Sequence, residues 1–488
     1  MPSPALQASP ARQATRQHAA HDVLLQVVAR VLNLALGVVV TALIARLLGG
    51  YFFGQWSTLL NVLGLVAYFA SFGLEKVVVR EAAAHPEREE EWYGAMMLLR
   101  LSLLGPVILI SLLSVLLLER SNQMLVAGLI LLIGMPFDGT SVLGLVFQLR
   151  VKNLVPMLVL TLRSVLWTIA VAVIFWQGGG MIALAIALVV TNAIGSVVQT
   201  VAALRILPRW PRPSRRQLRQ LIRVGIPLGL SGALIISYAR IDQVIVYWIA
   251  GSRSAGLYAA VYGMLDSSHF VPISILTTLT PIIAASWAVD RARMLRVVRL
   301  AAELLAVGSF GALAFAVAAA TPVVLLIFGP EYVSAAPALP VLGGAFVFIC
   351  YGYLNGSLLT VMGLQQRLLR ISLLALVVNV AGNLAFVPAF GFMGAAWMTL
   401  VTEVVVFGLS LRVILHNLEL PLPSPGRIPR TLLAALLLGA GLTLLREVDA
   451  SLAVLVPVAC IVYPALLLGL GAVNLDDVRV LLRRAELA

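Results

Sequence analysis

The sequence predicts an all-α membrane protein, a polytopic inner-membrane bundle of about fourteen transmembrane helices. Hydrophobic residues make up 61% of the 488 residues and charged residues only 11%, and the mean hydropathy of +1.02 lies far above that of a water-soluble domain. Apolar runs long enough to cross a hydrocarbon core, about 20 residues as a helix, recur almost to the C-terminus. Helices are expected because a helix satisfies its own backbone hydrogen bonds in lipid.

The apolar runs divide the chain into predicted spans, and polar segments flank them. Residues 1–21 are polar and lack the apolar segment and cleavage site of a signal peptide, so we expect a disordered cytoplasmic tail followed by an uncleaved first span. The predicted spans lie near residues 22–46, 55–78, 93–117, 123–147, 155–177, 181–204, 220–249, 255–288, 296–328, 335–361, 368–388, 393–414, 429–446 and 451–473.

Basic residues occur in alternate loops, after the even-numbered spans. The intervening loops "QGGG", "GSRSAG", "FGPEY" and "PAFGF" contain a single arginine, Arg253. The positive-inside rule therefore predicts that both termini are cytoplasmic, and nucleic acid is not expected as a partner despite the net charge of +13. The basic residues of the alternate loops are Arg150, Lys152, Arg205, Arg209, Arg212, Arg215, Arg216, Arg219, Arg223, Arg291, Arg293, Arg296, Arg299, Arg367, Arg370, Arg427 and Arg430.

Two internal echoes indicate a duplicated unit. The segments "LLGGYFFGQWS" (47–57) and "IAGSRSAGLYA" (249–259) each carry two glycines five residues apart and then an aromatic residue; "MIALAIALVVTN" (181–192) similarly resembles "FMGAAWMTLVTE" (392–403). Six spans return the chain to the same side, so the two copies form a parallel repeat. We expect an N-terminal six-helix lobe (22–210), a C-terminal six-helix lobe (211–416), and two extra helices with a short cytoplasmic tail (417–488).

Several segments resemble a known family. They are "NLALGVVVTALIARLLGGYFFGQWSTLLNVLGLVAYFASFGLEKVVVREAA", "RIDQVIVYWIAGSRSAGLYAAVYGM", "LIFGPEYVSAAPAL" and "NVAGNLAFVPAFGFMGAAWMTLVTE". Over residues 22–415 the chain is similar to the polysaccharide-transporter branch of the multidrug/oligosaccharidyl-lipid/polysaccharide flippase superfamily, which implies a MATE-like fold.

The resemblance also implies a function and a location. Members of that branch flip undecaprenyl-diphosphate-linked oligosaccharides from the cytoplasmic to the periplasmic leaflet by alternating access of the two lobes. The expected partners are therefore the lipid-linked oligosaccharide and the lipids of a bacterial inner membrane, and a glycan polymerase or chain-length protein is kept open as a further partner.

Three arginines inside the N-terminal spans suggest a place for a diphosphate. Arg30, Arg100 and Arg163 all lie about 10–12 Å from the predicted cytoplasmic surface at about 1.5 Å per residue. A ring of guanidinium groups would offer paired donors to phosphate oxygens, and Asp138 of "GMPFDGT" lies at a similar depth and could neutralise one of them. The alternative is that each arginine extends to the headgroups instead.

Polar side chains follow helical spacing in the first two spans. Such stripes line a water-filled cavity or hydrogen-bond to neighbouring helices; their occurrence in adjacent spans favours the cavity, with Asn33 and Asn61 among its predicted lining. The stripes are Gln26, Arg30, Asn33, Gly37 and Thr41 in the first span, and Thr58, Asn61, Tyr68 and Glu75 in the second.

The seventh and eighth spans carry charges of both signs. Arg240 is predicted to face the cavity or to pair with Asp266 at a similar depth, whereas Asp242 points to the opposite side of its helix and needs another partner. A buried acid can carry a proton or hold sodium, so Asp266 and His269 are candidates for coupling to H⁺ or Na⁺. A static Arg240–Asp266 pair that fixes helix packing remains open.

Other intramembrane residues are weaker candidates. Glu403 and Asp138 are further candidates for ion coupling. Tyr258, Tyr262 and Tyr351 suit stacking on sugar rings, although aromatic residues in membrane helices also serve packing.

Motifs of catalysis and metal binding are not found in the sequence. It lacks a G-x-x-x-x-G-K-[ST] phosphate loop, an H-E-x-x-H pair and a G-x-S-x-G elbow, and Cys350 and Cys460 have no metal-ligand spacing. The sequence therefore predicts a transporter and not an enzyme, without a metal or cofactor. A peptidoglycan lipid precursor flippase and a multidrug or cation antiporter of the same fold remain alternatives; a membrane oligosaccharide polymerase or ligase is disfavoured because the predicted periplasmic loops are short.

Overall fold

The computed structural model describes residues 10–71, 74–149, 154–207, 211–418 and 426–473. Side chains are described in these ranges except at 10–31, 69–71, 76, 138–141, 148–149, 224–228, 230–231 and 235. The described residues form helices and no strands, so the predicted all-α fold is confirmed. The helices are α1 (Pro10–Ser71), α2 (Glu75–Ala84), α3 (Glu89–Leu118), α4 (Asn122–Gly139), α5 (Leu145–Leu149), α6 (Leu154–Trp176), α7 (Met181–Leu204), α8 (Arg215–Ser268), α9 (Phe270–Trp287), α10 (Arg291–Phe328), α11 (Ala338–Val361), α12 (Gln365–Phe390), α13 (Phe392–Asn417), α14 (Ile428–Glu447) and α15 (Leu452–Gly469).

The helices have the length and composition of membrane spans. Within the described ranges, eleven are long and apolar enough to cross a bilayer, and α4 is a shorter apolar helix. Large apolar side chains such as Leu117, Ile133 and Ile461 are 73%, 67% and 70% exposed, as expected where the outer surface contacts lipid tails. The chain is therefore a multi-pass membrane protein, and the total of fourteen crossings stays a prediction.

The longest helices, α1 and α8, each contain one glycine with non-helical backbone angles. Gly49 has φ 68° and ψ 169°, and Gly251 has φ 86° and ψ 173°. Essentially only glycine adopts such angles, because a Cβ would clash with the backbone. Each glycine therefore divides its helix into two arms, at equivalent positions of the predicted repeat.

The two lobes meet where these breaks pack against each other. A Cβ placed on Gly54 would lie 1.8 Å from the carbonyl oxygen of Ser252, and one placed on Gly256 would lie 1.9 Å from the carbonyl oxygen of Gly50. The two backbones are therefore in direct contact. We call the packed segments 49–54 and 251–256 the lobe joint.

Side chains of the turn after α10, and one side chain of α1, strengthen the lobe joint. The Glu331 carboxylate accepts a hydrogen bond of 2.7 Å from the backbone N–H of Gly50, and the Tyr332 hydroxyl donates to the carbonyl oxygen of Ala45 at 2.9 Å. The guanidinium of Arg46 donates to the carbonyl oxygen of Ile327 at 3.0 Å, where the negative end of the α10 dipole favours a cation. The C-terminal lobe is thus tied to α1 at this end of the bundle.

The ends of the chain lie outside the predicted repeat. Helices α14 and α15 pack on α10 through small and branched apolar residues such as Ala318, Leu438 and Leu455. Helix α1 begins at Pro10, inside the segment predicted to be disordered, and the Ala, Gln and Arg that dominate that segment are good helix formers.

Candidate functional site

A cavity of about 590 Å³ lies between the lobes, walled mainly by the two arms of α1 and the two arms of α8. Helices α6 and α7 each add one apolar side chain. Ligand pockets commonly have about 300–1,000 Å³, so this volume suits a small headgroup. Its lining comprises Val40, Thr41, Ile44, Phe53, Trp56, Ser57, Leu60, Asn61, Gly64, Leu65, Trp167, Leu188, Ile236, Arg240, Gln243, Ala259, Tyr262, Gly263 and Asp266.

Arg240 and Asp266 form an ion pair in the wall of the cavity. An Arg240 guanidinium nitrogen, Nη1, lies 2.8 Å from a carboxylate oxygen of Asp266, and the two side chains are 40% and 28% exposed. The same nitrogen donates to the amide oxygen of Asn61 at 3.1 Å. The contact predicted from helix spacing is therefore present, and Arg240 also bridges to α1.

A network of side-chain amides and a hydroxyl continues from this pair across the lobes. The Asn61 amide donates to the Gln243 side-chain oxygen, and the Gln243 amide donates to the Ser57 hydroxyl at 2.8 Å. Gln243 and Ser57 were not predicted from the sequence, although Gln243 lies three residues after Arg240 and thus near the same helix face. These groups can bind the hydroxyls of a glycan or the oxygens of a phosphate.

Asp242 is turned away from the cavity into the C-terminal lobe, where it is 2% exposed. Its carboxylate accepts hydrogen bonds from the Tyr258 hydroxyl, from the backbone N–H of Gln243 at 2.7 Å and from the Thr399 hydroxyl at 3.3 Å. A partner for Asp242 was predicted from the sequence, and that partner is a set of neutral hydrogen-bond donors. Thr399 of α13 could not be identified among them beforehand, because nothing in the nearby sequence marks it.

Removing the Tyr258 hydroxyl should destabilise the C-terminal lobe. In Tyr258→Phe the buried Asp242 carboxylate loses a donor, and such a loss typically costs about 1–3 kcal/mol. Thermal unfolding of the purified protein in detergent should show a lowered midpoint. The matched control is Tyr351→Phe, because the Tyr351 hydroxyl lies 3.4 Å from the carbonyl oxygen of Ala302 and that long contact is weak. Equal shifts in the two variants would contradict the assignment.

The titratable candidates for ion coupling lie in different surroundings. His269 Nδ1 is 3.9 Å from the Asp266 carboxylate, and its ring makes an edge contact with Tyr353 at 6.0 Å between centroids. Glu403 is 8% exposed and, among the described residues, has no cation within 4.0 Å. The Asp138 side chain lies outside the described residues. Their coupling roles stay predictions.

The predicted arginine ring does not line the cavity in the part of the chain whose side chains are described. Arg100 pairs instead with Glu75 at 2.5 Å and is 10% exposed. Arg163 lies along Gly195 of α7, where an added Cβ would be 3.2 Å from the Arg163 Cδ. The Arg30 side chain lies outside the described residues. Sequence position predicts how deep a residue lies, but not the direction in which its side chain points.

Among the other residues predicted to contact the substrate, some line the cavity and some do not. Tyr262 lines the cavity and donates to the carbonyl oxygen of Ala239 at 2.8 Å. Tyr258 is fully buried and does not line the cavity, so a sugar contact there stays a prediction that needs another conformation. Tyr351 packs on Phe407 and does not line the cavity, and the Asn33 amide donates to Thr161 of α6 at 3.0 Å, also away from it.

The chain is similar in sequence to one protein family and in structure to two groups of transporters. The profile of a family described as "Polysaccharide biosynthesis protein" matches residues 19–287. An uncharacterized membrane protein of Methanocaldococcus jannaschii is 24% identical over 203 residues, which is 40% of this chain and 40% of that relative. The chain thus spans less than half the length of the curated relative that it matches.

Among solved structures, the inward closed conformation of the lipid II flippase MurJ superimposes with a TM-score of 0.71 at 12% identity, over 91% of this chain and 98% of MurJ. An inward-facing multidrug resistance transporter of the MATE family gives a TM-score of 0.67 at 17% identity, over 80% of this chain and 96% of that one. These likenesses show the fold, and with the family match they confirm the resemblance drawn from the sequence.

Proposed function

The chain belongs to the polysaccharide biosynthesis protein family, and from this premise we propose that it is a flippase for an undecaprenyl-diphosphate-linked oligosaccharide. The observation that carries the proposal is the cavity between the lobes, with the Arg240 guanidinium in its wall. A lipid-linked saccharide needs a polar passage for its headgroup while its lipid tail remains in the bilayer. A guanidinium group suits a diphosphate because it is always charged and offers paired donors.

We propose that transport uses alternating access in a bacterial inner membrane, with both termini in the cytoplasm. The lobe joint and its contacts from Glu331 and Arg46 close the end of the bundle that is predicted to be periplasmic. Opening that end requires these contacts to break, and their energy is then part of the barrier between the two states. Alternating access lets the headgroup bind at one end and be released at the other, and net outward movement needs a driving force.

We further propose that a proton or sodium gradient drives the cycle. Asp266 and His269 are favoured as the coupling groups because Asp266 touches the cavity and His269 lies beside it. A headgroup phosphate that binds Arg240 competes with Asp266 for it, so substrate binding would free the carboxylate to accept a cation. Polymerase or chain-length partners stay predictions.

Two other transport functions serve as arms of the test. MurJ is a lipid II flippase and the MATE relative is a multidrug resistance transporter, so the peptidoglycan precursor lipid and a cationic dye are the rival substrates. The cavity wall contains one basic and one acidic group that neutralise each other, so its net charge favours neither an anionic nor a cationic substrate, and the choice among the three falls to the test.

The experiment is lipid translocation in proteoliposomes. A fluorescent prenyl-diphosphate oligosaccharide is placed in both leaflets, and a membrane-impermeant quencher then reports how fast the inner pool reaches the outer surface. We expect the protein to accelerate this exchange over protein-free liposomes under a proton or sodium gradient. Absence of acceleration under either gradient would overturn the proposal, and faster movement of the peptidoglycan precursor or the dye would assign one of the rival functions.

A further inference from the structure

A second cavity, of about 720 Å³, lies between the N-terminal turns of α12 and the C-terminal turns of α13. It shares no lining residue with the cavity between the lobes, so it is a separate feature of the surface. We call it the arginine groove. Its position at the arginine-rich end of these helices places it, by the positive-inside rule, at the cytoplasmic face of the membrane.

Three arginines line the arginine groove: Arg367 and Arg370 from α12 and Arg412 from α13. All three are exposed, and in the part of the chain that the structure describes none has an acidic partner within 4.0 Å. The lining includes no aspartate or glutamate, and His416 is its other polar member. The groove is therefore electropositive and its charges are not neutralised by the residues around it.

The placement of Arg367 and Arg370 adds a second electrostatic reason for an anionic ligand. Helix α12 begins at Gln365 and has no acidic residue in its first turn, so both arginines lie at the helix end where the dipole is positive. Anions are favoured at that end and cations are disfavoured. A bound anion would relieve the repulsion between the two arginines and the dipole, and Arg412 faces it from the other side.

The rest of the lining indicates that the anion carries an acyl chain. The groove is also walled by apolar residues: Leu374, one helical turn deeper than Arg370, is 44% exposed, and Leu415, near the end of α13, is 46% exposed. These side chains face outward, as do the apolar residues that contact lipid elsewhere on the bundle. Cationic groups at the headgroup level above an apolar wall match the two parts of a membrane lipid.

We propose that the arginine groove binds the phosphate headgroup of an anionic phospholipid from the cytoplasmic leaflet. The three guanidinium groups hold the phosphodiester through charge-assisted hydrogen bonds, and an acyl chain lies along Leu374 and Leu409. This site goes beyond the proposed transport function, because neither the transported substrate nor translocation is needed for it. Its occupancy would hold the ends of α12 and α13 together.

The test measures lipid binding by native mass spectrometry of the full chain released from detergent. Phosphatidylglycerol is titrated against phosphatidylethanolamine, which has no net charge, and the bound lipid is counted for the wild type and for the triple variant R367Q/R370Q/R412Q. We expect the wild type to prefer phosphatidylglycerol, and the triple variant to bind it about tenfold more weakly or worse, since each basic residue near a membrane contributes to the attraction of anionic lipid.

The matched control is R215Q/R216Q/R219Q, which removes three exposed arginines from the first turns of α8, on the same side of the membrane but outside both cavities. The control should bind phosphatidylglycerol like the wild type. The proposal is overturned if the triple variant keeps wild-type binding, if the control loses as much, or if the wild type binds both lipids equally. Displacement of the lipid by millimolar inorganic phosphate would also overturn it, since the site would then be one for a free anion.

Discussion

Gly256→Ala is expected to prevent correct closure of the lobe joint and to lower the free energy of unfolding by about 3 kcal/mol, the upper part of the range for overpacking. The added methyl group would lie 1.9 Å from the carbonyl oxygen of Gly50 and 3.0 Å from the backbone nitrogen of Gly54. These are backbone atoms, which cannot rotate away as a side chain can. The two arms would have to move apart, and the contacts of Glu331 and Arg46 across the lobes would be lost with them.

The measurement is the thermal midpoint and the yield of monodisperse protein in detergent. Gly263→Ala is the matched control, since it lies seven residues further along the same helix and an added Cβ would meet nothing within 4 Å. Glycine to alanine inside a helix is otherwise stabilising by about 0.4–1 kcal/mol, so the two variants should change stability in opposite directions. If Gly256→Ala behaves like Gly263→Ala, the lobes do not meet at these backbones.

The importance of these glycines could be predicted from the sequence because the signal is local and repeated. Gly54 and Gly256 occupy the same position in two similar segments, and a position that retains glycine in both copies suggests a geometric requirement. The all-α membrane fold could be predicted for a similar reason, since the length and composition of each apolar run indicate by themselves a helix that spans the membrane. The two segments do not show, however, which backbone atoms each glycine contacts.

Contacts between residues of one helix could be predicted from the sequence, whereas contacts that depend on how separate helices pack could not. Arg240 and Asp266 lie on two arms of one helix, so their depths are comparable and their contact could be expected. Thr399 reaches Asp242 from α13, and only the packing of the lobe brings them together. The pairing of Arg100 with Glu75 could not be predicted, because it depends on how α2 turns back against α3.

The geometry of the cavity links the conformation of the lobes and the binding of substrate through a single side chain. Arg240 contacts Asp266 within the C-terminal lobe and Asn61 of α1, so any separation of the lobes breaks one contact and leaves the other. A phosphate in the cavity would replace the contacts that the guanidinium loses. Arg240 is thus placed to respond both to the conformation and to the substrate.

Arg240→Gln is expected to reduce translocation in proteoliposomes by about 10- to 100-fold, which corresponds to the loss of one or two charge-assisted hydrogen bonds in the rate-limiting state. Thermal stability should change little. Both members of the Arg240–Asp266 pair are partly exposed to the cavity, and water screens such pairs so that they contribute on the order of 1 kcal/mol or less. Arg240→Lys should recover part of the rate, because lysine keeps the charge and loses the paired donor geometry.

The double variant R240D/D266R separates a functional arginine from a merely structural pair. It restores an ion pair between the same two positions but moves the guanidinium to the other arm of α8 and away from Asn61. If Arg240 binds the substrate phosphate, the double variant should have the stability of the wild type while its translocation is low. Wild-type translocation by the double variant would mean that the pair acts only as a packing element, and the phosphate would then have to be bound elsewhere in the cavity.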